Sequence, residues 1–164
     1  SAAVSFMTRS IMIGATKIVE VWAMLCLSLT LVAYLMLKRY QIETLFFAIA
    51  MGLSSILNPV LKNIFDRERP TLLRLIDISG FSFPSGHAMG ATSYFGSIIY
   101  ILNRHDSGIS KGVLIGLSAL FILLISTSRV YLGVHYPTDI IAGIIGGAFC
   151  IVLSTLILKK QLAI

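Results

Sequence analysis

Five stretches of this chain are apolar for the length of a bilayer crossing: Ile18–Leu37, Thr44–Leu61, Gly86–Leu102, Gly112–Thr127 and Ile140–Leu158. At a rise of about 1.5 Å per residue, each reaches roughly 24–30 Å, which matches the hydrocarbon core or falls slightly short of it. Aliphatic side chains occupy the whole circumference of each stretch, unlike the one-sided helices of a soluble bundle. Composition agrees. Of 164 residues, 57% are hydrophobic and only 12% charged, about half the roughly 25% charge of a soluble domain. A soluble fold of this length cannot cover so much apolar surface. A soluble globular enzyme, a disordered chain and a nucleic-acid binder are thereby excluded. The sequence predicts an all-α, polytopic transmembrane helix bundle, one unit over residues 1–164.

Ser1–Lys17 is apolar but interrupted by Arg9, Ser10, Gly14 and Lys17. It lacks the charged start, apolar centre and small-residue cleavage site of a secretory signal, and reads as an interfacial segment. The chain starts at Ser1 and not at Met, which leaves room for residues upstream. Glycines recur four apart at Gly86/Gly90, Gly112/Gly116 and Gly143/Gly147, a spacing that lets helices approach closely in lipid. Cys26 and Cys150 sit inside apolar runs and read as packing residues, not as a disulfide framework or a metal site.

Two connections break the apolar pattern. Lys62–Ser85 mixes a dense charge cluster with Leu, Ile and Phe, and Ser128–Asp139 carries Arg129, His135 and Asp139. Counting crossings puts both on one side of the membrane. The opposite side receives Lys38–Gln41, Asn103–Lys111 and Lys159–Lys160. Thirteen Lys and Arg against seven Asp and Glu give a formal charge of +6. In a membrane chain such basic residues collect in loops and touch lipid headgroups. The unusual face has Arg9, Lys17, Lys62, Arg67, Arg69, Arg74 and Arg129; the plain face has Lys38, Arg39, Arg104, Lys111, Lys159 and Lys160. With Lys62, Arg69 and Arg129 set aside as site residues, four stand against six, and the positive-inside rule puts the plain face in the cytoplasm.

Three segments on the unusual face share one chemical logic. Lys62 and Arg69 are seven residues apart, almost two helical turns, so a helix continuing past the membrane would carry both cations on one face until Pro70 ended it. The plainer alternative is a solvated cluster with Asp66, Arg67 and Glu68 in ordinary surface pairs. Pro84-Ser85-Gly86-His87 opens the third span. Ser is a favoured N-cap, Gly admits close backbone approach, and free N–H groups at a helix start attract anions; a simply capped helix with an interfacial His is the alternative. Pro137 suits the first turn of the last span and puts Asp139 early in it. There Asp139 either complements the helix dipole or pairs with His135. A carboxylate accepting the Nδ1 proton would fix the tautomer and leave Nε2 free as nucleophile or base.

Together, Lys62-x6-Arg69-Pro70, Pro84-Ser85-Gly86-His87 and Ser128-Arg129-x5-His135-x3-Asp139 resemble the three-part signature of the type 2 phosphatidic acid phosphatase superfamily. Every signature position matches in order and spacing, over Lys62–Asp139, about half the chain. The short loops are most similar to the bacterial phosphatidylglycerophosphatase B and undecaprenyl pyrophosphate phosphatase branch. The resemblance implies six transmembrane helices, against five visible here, and a metal-independent lipid phosphatase without cofactor. It implies that Lys62, Arg69 and Arg129 clamp the phosphate oxygens, with Ser85 and the N–H groups of Gly86 and His87 completing the cradle. It implies that His135 attacks phosphorus to give a phosphohistidine, that Asp139 orients it, and that His87 protonates the leaving oxygen and then activates water. The three cations would stabilise the transition state, and His105 would have no part.

Leu72, Leu73, Leu75, Ile76, Ile78, Phe81 and Phe83, between Pro70 and Pro84, read as an interfacial flap under which a lipid phosphate enters sideways. The expected partners are a lipid phosphate and the bilayer, not nucleic acid. The expected substrates are phosphatidylglycerophosphate first, then undecaprenyl pyrophosphate, phosphatidate and related lipids, at the outer face of a bacterial plasma membrane. A transporter would hold its charges nearer the midplane. A metallohydrolase using His87, His135 and Asp139 would place its ion among three cations. A lipid phosphotransferase, or a phosphatase for soluble phosphates, would use the same site.

Overall fold

The computed structural model describes residues 21–71, 75, 78–105 and 109–162. Among them, helices follow in the order α1 (Val21–Leu37), α2 (Gln41–Phe65), α3 (Gly86–His105), α4 (Ile109–Tyr131), α5 (Pro137–Ile157) and a last turn, α6 (Lys159–Leu162). No strand occurs among the described residues. The all-α bundle expected from the apolar pattern is the fold that forms, and α1–α5 fall on the five predicted spans. The proposed interfacial segment Ser1–Lys17 lies outside the described residues, as do Leu72, Leu73 and Ile76 of the flap.

Boundaries shift in ways that matter for the site. Helix α2 runs on to Phe65 with Pro59 inside it, a kink-prone residue that membrane helices accommodate because neighbouring groups re-satisfy the freed backbone. Helix α4 continues through Ser128 and Arg129 to Tyr131, so these two residues belong to its last turn and not to a loop. The α4–α5 connection shortens to the few residues before Pro137, which takes the first helical position of α5.

The outer surface is that of a protein in lipid. Trp22, Leu37, Ile56, Ile145 and Leu156 are each at least 60% exposed, an arrangement water would penalise. Helices α2, α4 and α5 are long and apolar enough to cross a bilayer, and α1 is a shorter apolar helix. Helix α3 differs because protein, not lipid, surrounds it. It packs mainly on α5 and α4, with α2 alongside, and Ala88, Met89, Ala91, Thr92, Ser93 and Ser97 are buried. Aromatic packing of Phe47, Tyr94 and Phe95 with Ile125 forms one core, and Leu35, Phe46, Ile101 and Leu158 another.

One glycine pair explains how α5 reaches α3. A Cβ on Gly143 would meet the Ser85 carbonyl oxygen at 2.6 Å, and one on Gly147 would meet the Met89 carbonyl oxygen at 2.7 Å. Their bare backbones let α5 lie directly against the first turns of α3. Gly112/Gly116 is not a packing seam, contrary to the expectation from spacing, and of Gly86/Gly90 only Gly86 lies close to a neighbour, Asn58. An added Cβ on Gly90, Gly112 or Gly116 would meet nothing within 4 Å, because these glycines face a cavity or the outer surface. Of the two cysteines, Cys150 is buried as expected, whereas Cys26 is exposed.

At the end of the bundle away from the signature residues, His105 Nε2 lies 2.6 Å from Glu43 Oε1. Its ring stacks on Tyr40 at 4.4 Å, and Arg104 Nε lies 3.5 Å from the same carboxylate oxygen. His105 therefore ties the end of α3 to the start of α2.

The seam is testable by adding single methyl groups. Gly147→Ala forces backbone atoms apart and should cost about 1–3 kcal/mol, read as a lower Tm in detergent. Gly112→Ala, on an open face, should leave Tm unchanged or raise it through better helix propensity. Equal shifts in the two variants would contradict the seam.

Candidate active site

The signature residues reach one end of the bundle from three directions. Lys62 stands in the last turn of α2. The helix then stops, because Asp66 turns left-handed (φ 46°, ψ 33°) and its N–H bonds the Lys62 carbonyl, a helix ending that Asp tolerates better than most residues. Lys62 and Arg69 therefore do not share a helical face, as the seven-residue spacing suggested. They converge because the chain folds back. Lys62 Nζ donates to the Phe81 carbonyl. Arg69 donates from Nε to the Gly80 carbonyl at 2.9 Å and from Nη1 to the Val134 carbonyl at 3.0 Å, bridging the two signature loops.

Arg129 comes from the last turn of α4 and is 1% exposed. Lys62, Arg69 and Arg129 lie close enough to repel one another. A phosphate dianion among them would relieve that repulsion and gain charge-assisted hydrogen bonds. Facing them is the first turn of α3. Ser85 is fully buried and its Oγ accepts the Ala88 N–H at 3.4 Å, the N-cap role read from sequence. Its own N–H donates to the Asp139 carbonyl at 3.0 Å. Gly86 is needed for space, since a Cβ there would lie 3.0 Å from Asn58 Oδ1. His87 is half-buried and shares the field of Arg129, His135, Arg69 and Lys62.

His135 and Asp139 are both buried and one helical turn apart. Asp139 Oδ2 accepts the Tyr136 main-chain N–H at 2.8 Å and the Ser82 hydroxyl. His135 Nδ1 lies 3.4 Å from that same oxygen and 3.3 Å from Ser82 Oγ. Its other nitrogen, Nε2, lies 3.2 Å from Arg69 Nη1. A guanidinium only donates, so Nε2 accepts and carries the lone pair, which assigns the proton to Nδ1. Ser82 donates to the carboxylate and is free to accept from Nδ1. The result is a relay from imidazole through hydroxyl to carboxylate, with the bare nitrogen turned towards the cations. Burial, reinforced by Arg69, Arg129 and Lys62 and opposed by Asp139, pushes His135 well below the ordinary imidazole range. It is neutral at pH 7.

Every predicted site residue thus meets at this end: Lys62, Arg69, Arg129, Ser85, Gly86, His87, His135 and Asp139. Sequence reasoning missed three more. Ser82 had no spacing signal. Asn58, whose amide donates to the Pro84 carbonyl at 3.5 Å, lies inside an apolar run. Arg67 was visible only as part of a charge cluster, yet it is not in an ordinary surface pair. Its Nη1 bonds Asp139 Oδ1 at 2.8 Å and Thr138 Oγ1 at 2.7 Å. Among the described residues no three His, Cys, Asp or Glu side chains converge with metal-ligand geometry. The described part of the flap is pinned, with Ser82 N–H bonding the Arg67 carbonyl at 2.7 Å and Leu75 N–H bonding the Leu132 carbonyl at 3.0 Å.

Comparison with known proteins shows the family and the fold. A family model of the PAP2 superfamily matches residues 43–162. Phosphatidylglycerophosphatase B of Bacillus subtilis (strain 168) is 34% identical over 137 residues, spanning 82% of this chain and 68% of that protein. Undecaprenyl-diphosphatase of Sulfolobus acidocaldarius is 34% identical over 110 residues, spanning 66% of this chain but only 50% of that protein. The crystal structure of a transmembrane PAP2 type phosphatidylglycerolphosphate phosphatase from Bacillus subtilis superposes with a TM-score of 0.68 at 29% identity, over 98% of this chain and 88% of that one. Aquifex aeolicus LpxE shares the fold, with a TM-score of 0.74 at 22% identity, over 90% of this chain and 85% of that one. The chain belongs to the PAP2 superfamily, and is a multi-pass membrane protein of a lipid phosphatase family that hydrolyses phosphate esters.

Proposed function

We propose that this phosphatase acts on phosphatidylglycerophosphate first and on undecaprenyl pyrophosphate second, through a phosphohistidine on His135. The observation that carries this reading is the orientation of His135, with Nδ1 tied to Asp139 and Nε2 turned towards Arg69. The phosphate lies among Lys62, Arg69 and Arg129, against Ser85 and the N–H groups of Gly86 and His87. The Nε2 lone pair attacks phosphorus as the bond to the lipid oxygen breaks; the negative charge of the bound phosphate offsets the surrounding cations, so that His87 takes up a proton from water and gives it to that oxygen. The imidazole, now cationic, is stabilised through Ser82 by Asp139. His87 then takes a proton from water, the hydroxide oxygen bonds phosphorus, the P–N bond breaks and phosphate leaves. The cations stabilise the charge that spreads over the phosphoryl oxygens in both steps.

A cavity of about 480 Å³ between α1, α2 and α3 supports a lipid substrate. It is lined by Met24, Leu25, Met51, Pro59 and Gly90 and extends to Gly86 at the site. The names of the Bacillus and Sulfolobus relatives support the two substrates. The basic residues of the plain face, Lys38, Arg39, Arg104, Lys111, Lys159 and Lys160, support an extracytoplasmic site in a bacterial plasma membrane.

Phosphate release by the purified protein tests this directly, using phosphatidylglycerophosphate, undecaprenyl pyrophosphate, phosphatidate and glycerol 3-phosphate, with and without a chelator. The lipids should be turned over and the chelator should have no effect. Equal turnover of glycerol 3-phosphate would defeat the lipid assignment, and loss of activity with chelator the metal-independent one. Arg129→Ala should lower kcat/KM by roughly 100–1,000-fold; a parent value would remove it from the clamp.

The state of His135 sets a pH dependence. Its folded value lies below its unfolded value of about 6.5, so on acidification the unfolded chain binds the proton first. Stability is therefore lost as pH falls below about 6.5. Tm measured in detergent from pH 7 to 5 should fall less steeply in His135→Asn than in the parent. Identical slopes would contradict a neutral, buried His135.

A further inference from the structure

We propose that Arg67 is a positioning residue for the His135–Asp139 pair; the role rests on the reading of His135 as nucleophile. Among the described residues four cations gather at this end of the bundle, and their geometry divides them. Lys62, Arg69 and Arg129 are the charges that act on His135 and His87. Arg67 is not among them. Its guanidinium bonds Asp139 Oδ1 at 2.8 Å and Thr138 Oγ1 at 2.7 Å, and lies over the Tyr136 ring at 4.1 Å.

The consequence follows from what a carboxylate can accept. Asp139 is 0% exposed, so both oxygens must be satisfied by protein. Arg67 takes Oδ1. That leaves Oδ2 for Ser82, the Tyr136 N–H and His135 Nδ1. The main chain of Arg67 fixes the other partner as well, because its carbonyl accepts the Ser82 N–H at 2.7 Å. One residue thus sets the carboxylate through its side chain and the bridging hydroxyl through its backbone. Without the guanidinium, Oδ1 is left bare in a buried site. The carboxylate then rotates towards other donors, and His135 loses the partner that aims Nε2. The phosphate clamp is untouched, so the loss falls on kcat and not on KM. Lysine supplies the charge but neither the planar fork nor the stack on Tyr136.

A double-mutant cycle on the purified protein tests this, with phosphatidylglycerophosphate as substrate. Arg67→Gln should lower kcat by roughly 100-fold with KM near the parent value, and Arg67→Lys should recover part of the loss. Glu68→Gln, at the exposed neighbouring residue, should keep the parent kcat. The Arg67→Gln loss should vanish in an Asp139→Asn background, because a residue acting only through Asp139 has nothing left to position. Losses that multiply in the double variant, or a raised KM with kcat kept, would make Arg67 a phosphate ligand and overturn the proposal. A parent kcat in Asp139→Asn alone would instead sink the His135–Asp139 pair itself. Should Arg67→Gln not be recovered folded, Arg67→Lys carries the same cycle: a kcat loss confined to the Asp139 background supports the role, and a multiplying loss removes it.

Discussion

The buried carboxylate of Asp139 is the interaction on which this end of the molecule depends. It is reached by Arg67 from the α2–α3 connection, by Ser82 from the turn before α3, and by Tyr136 and His135 from the α4–α5 connection. Its main-chain carbonyl also accepts the Ser85 N–H, so side chain and backbone together bind all three signature segments. A carboxylate removed from water is costly unless fully paired and hydrogen-bonded. Here the pairing is complete, and the groups that complete it are those that build the site. Stability and chemistry are therefore coupled at one residue, in a network where losing one partner exposes the rest.

Getting Asp139 to that position is the work of the bundle. Helix α3 is enclosed on most sides by α5, α4 and α2, and α5 approaches it closely because Gly143 and Gly147 carry no side chains. Asp139 lies one turn before Gly143 on α5, and Ser85 immediately precedes α3. The glycine seam that joins the helices thus also sets the distance between the carboxylate and the anion-binding turn. Lipid adds no hydrophobic force between helices, so this close backbone contact, with the aromatic packing of Phe47, Tyr94 and Phe95, holds the bundle.

The features legible in the sequence were those that repeat or that keep a fixed spacing. The spans were legible because a bilayer demands long apolar runs. The eight signature residues stood out because their order and spacing together resemble a family signature, whereas each segment alone also allowed a plainer reading. What was hidden had no such marker. The spacing of Lys62 and Arg69 imitates two helical turns, but the left-handed Asp66 ends α2 first, and nothing in a single sequence announces that conformation at an Asp. Arg67 sits among alternating charges that look solvated, and its partner is 72 positions away. Ser82 is a polar residue in an apolar turn with no periodicity around it. The glycine pairs looked alike, yet only tertiary packing decided that Gly143/Gly147 meets a neighbour and Gly112/Gly116 does not.

The central claim, that neutral His135 takes the phosphoryl group on Nε2, is tested most directly by trapping it. The protein would be mixed with a lipid substrate carrying radiolabelled phosphate and quenched in alkali within a single turnover. Phosphohistidine survives alkali but not acid, and the labelled peptide is then identified by mass spectrometry. The account predicts acid-labile label on the peptide containing His135, and none in His135→Ala. Label on another residue, or substrate turnover with no trapped phosphoryl group at any time, would contradict it.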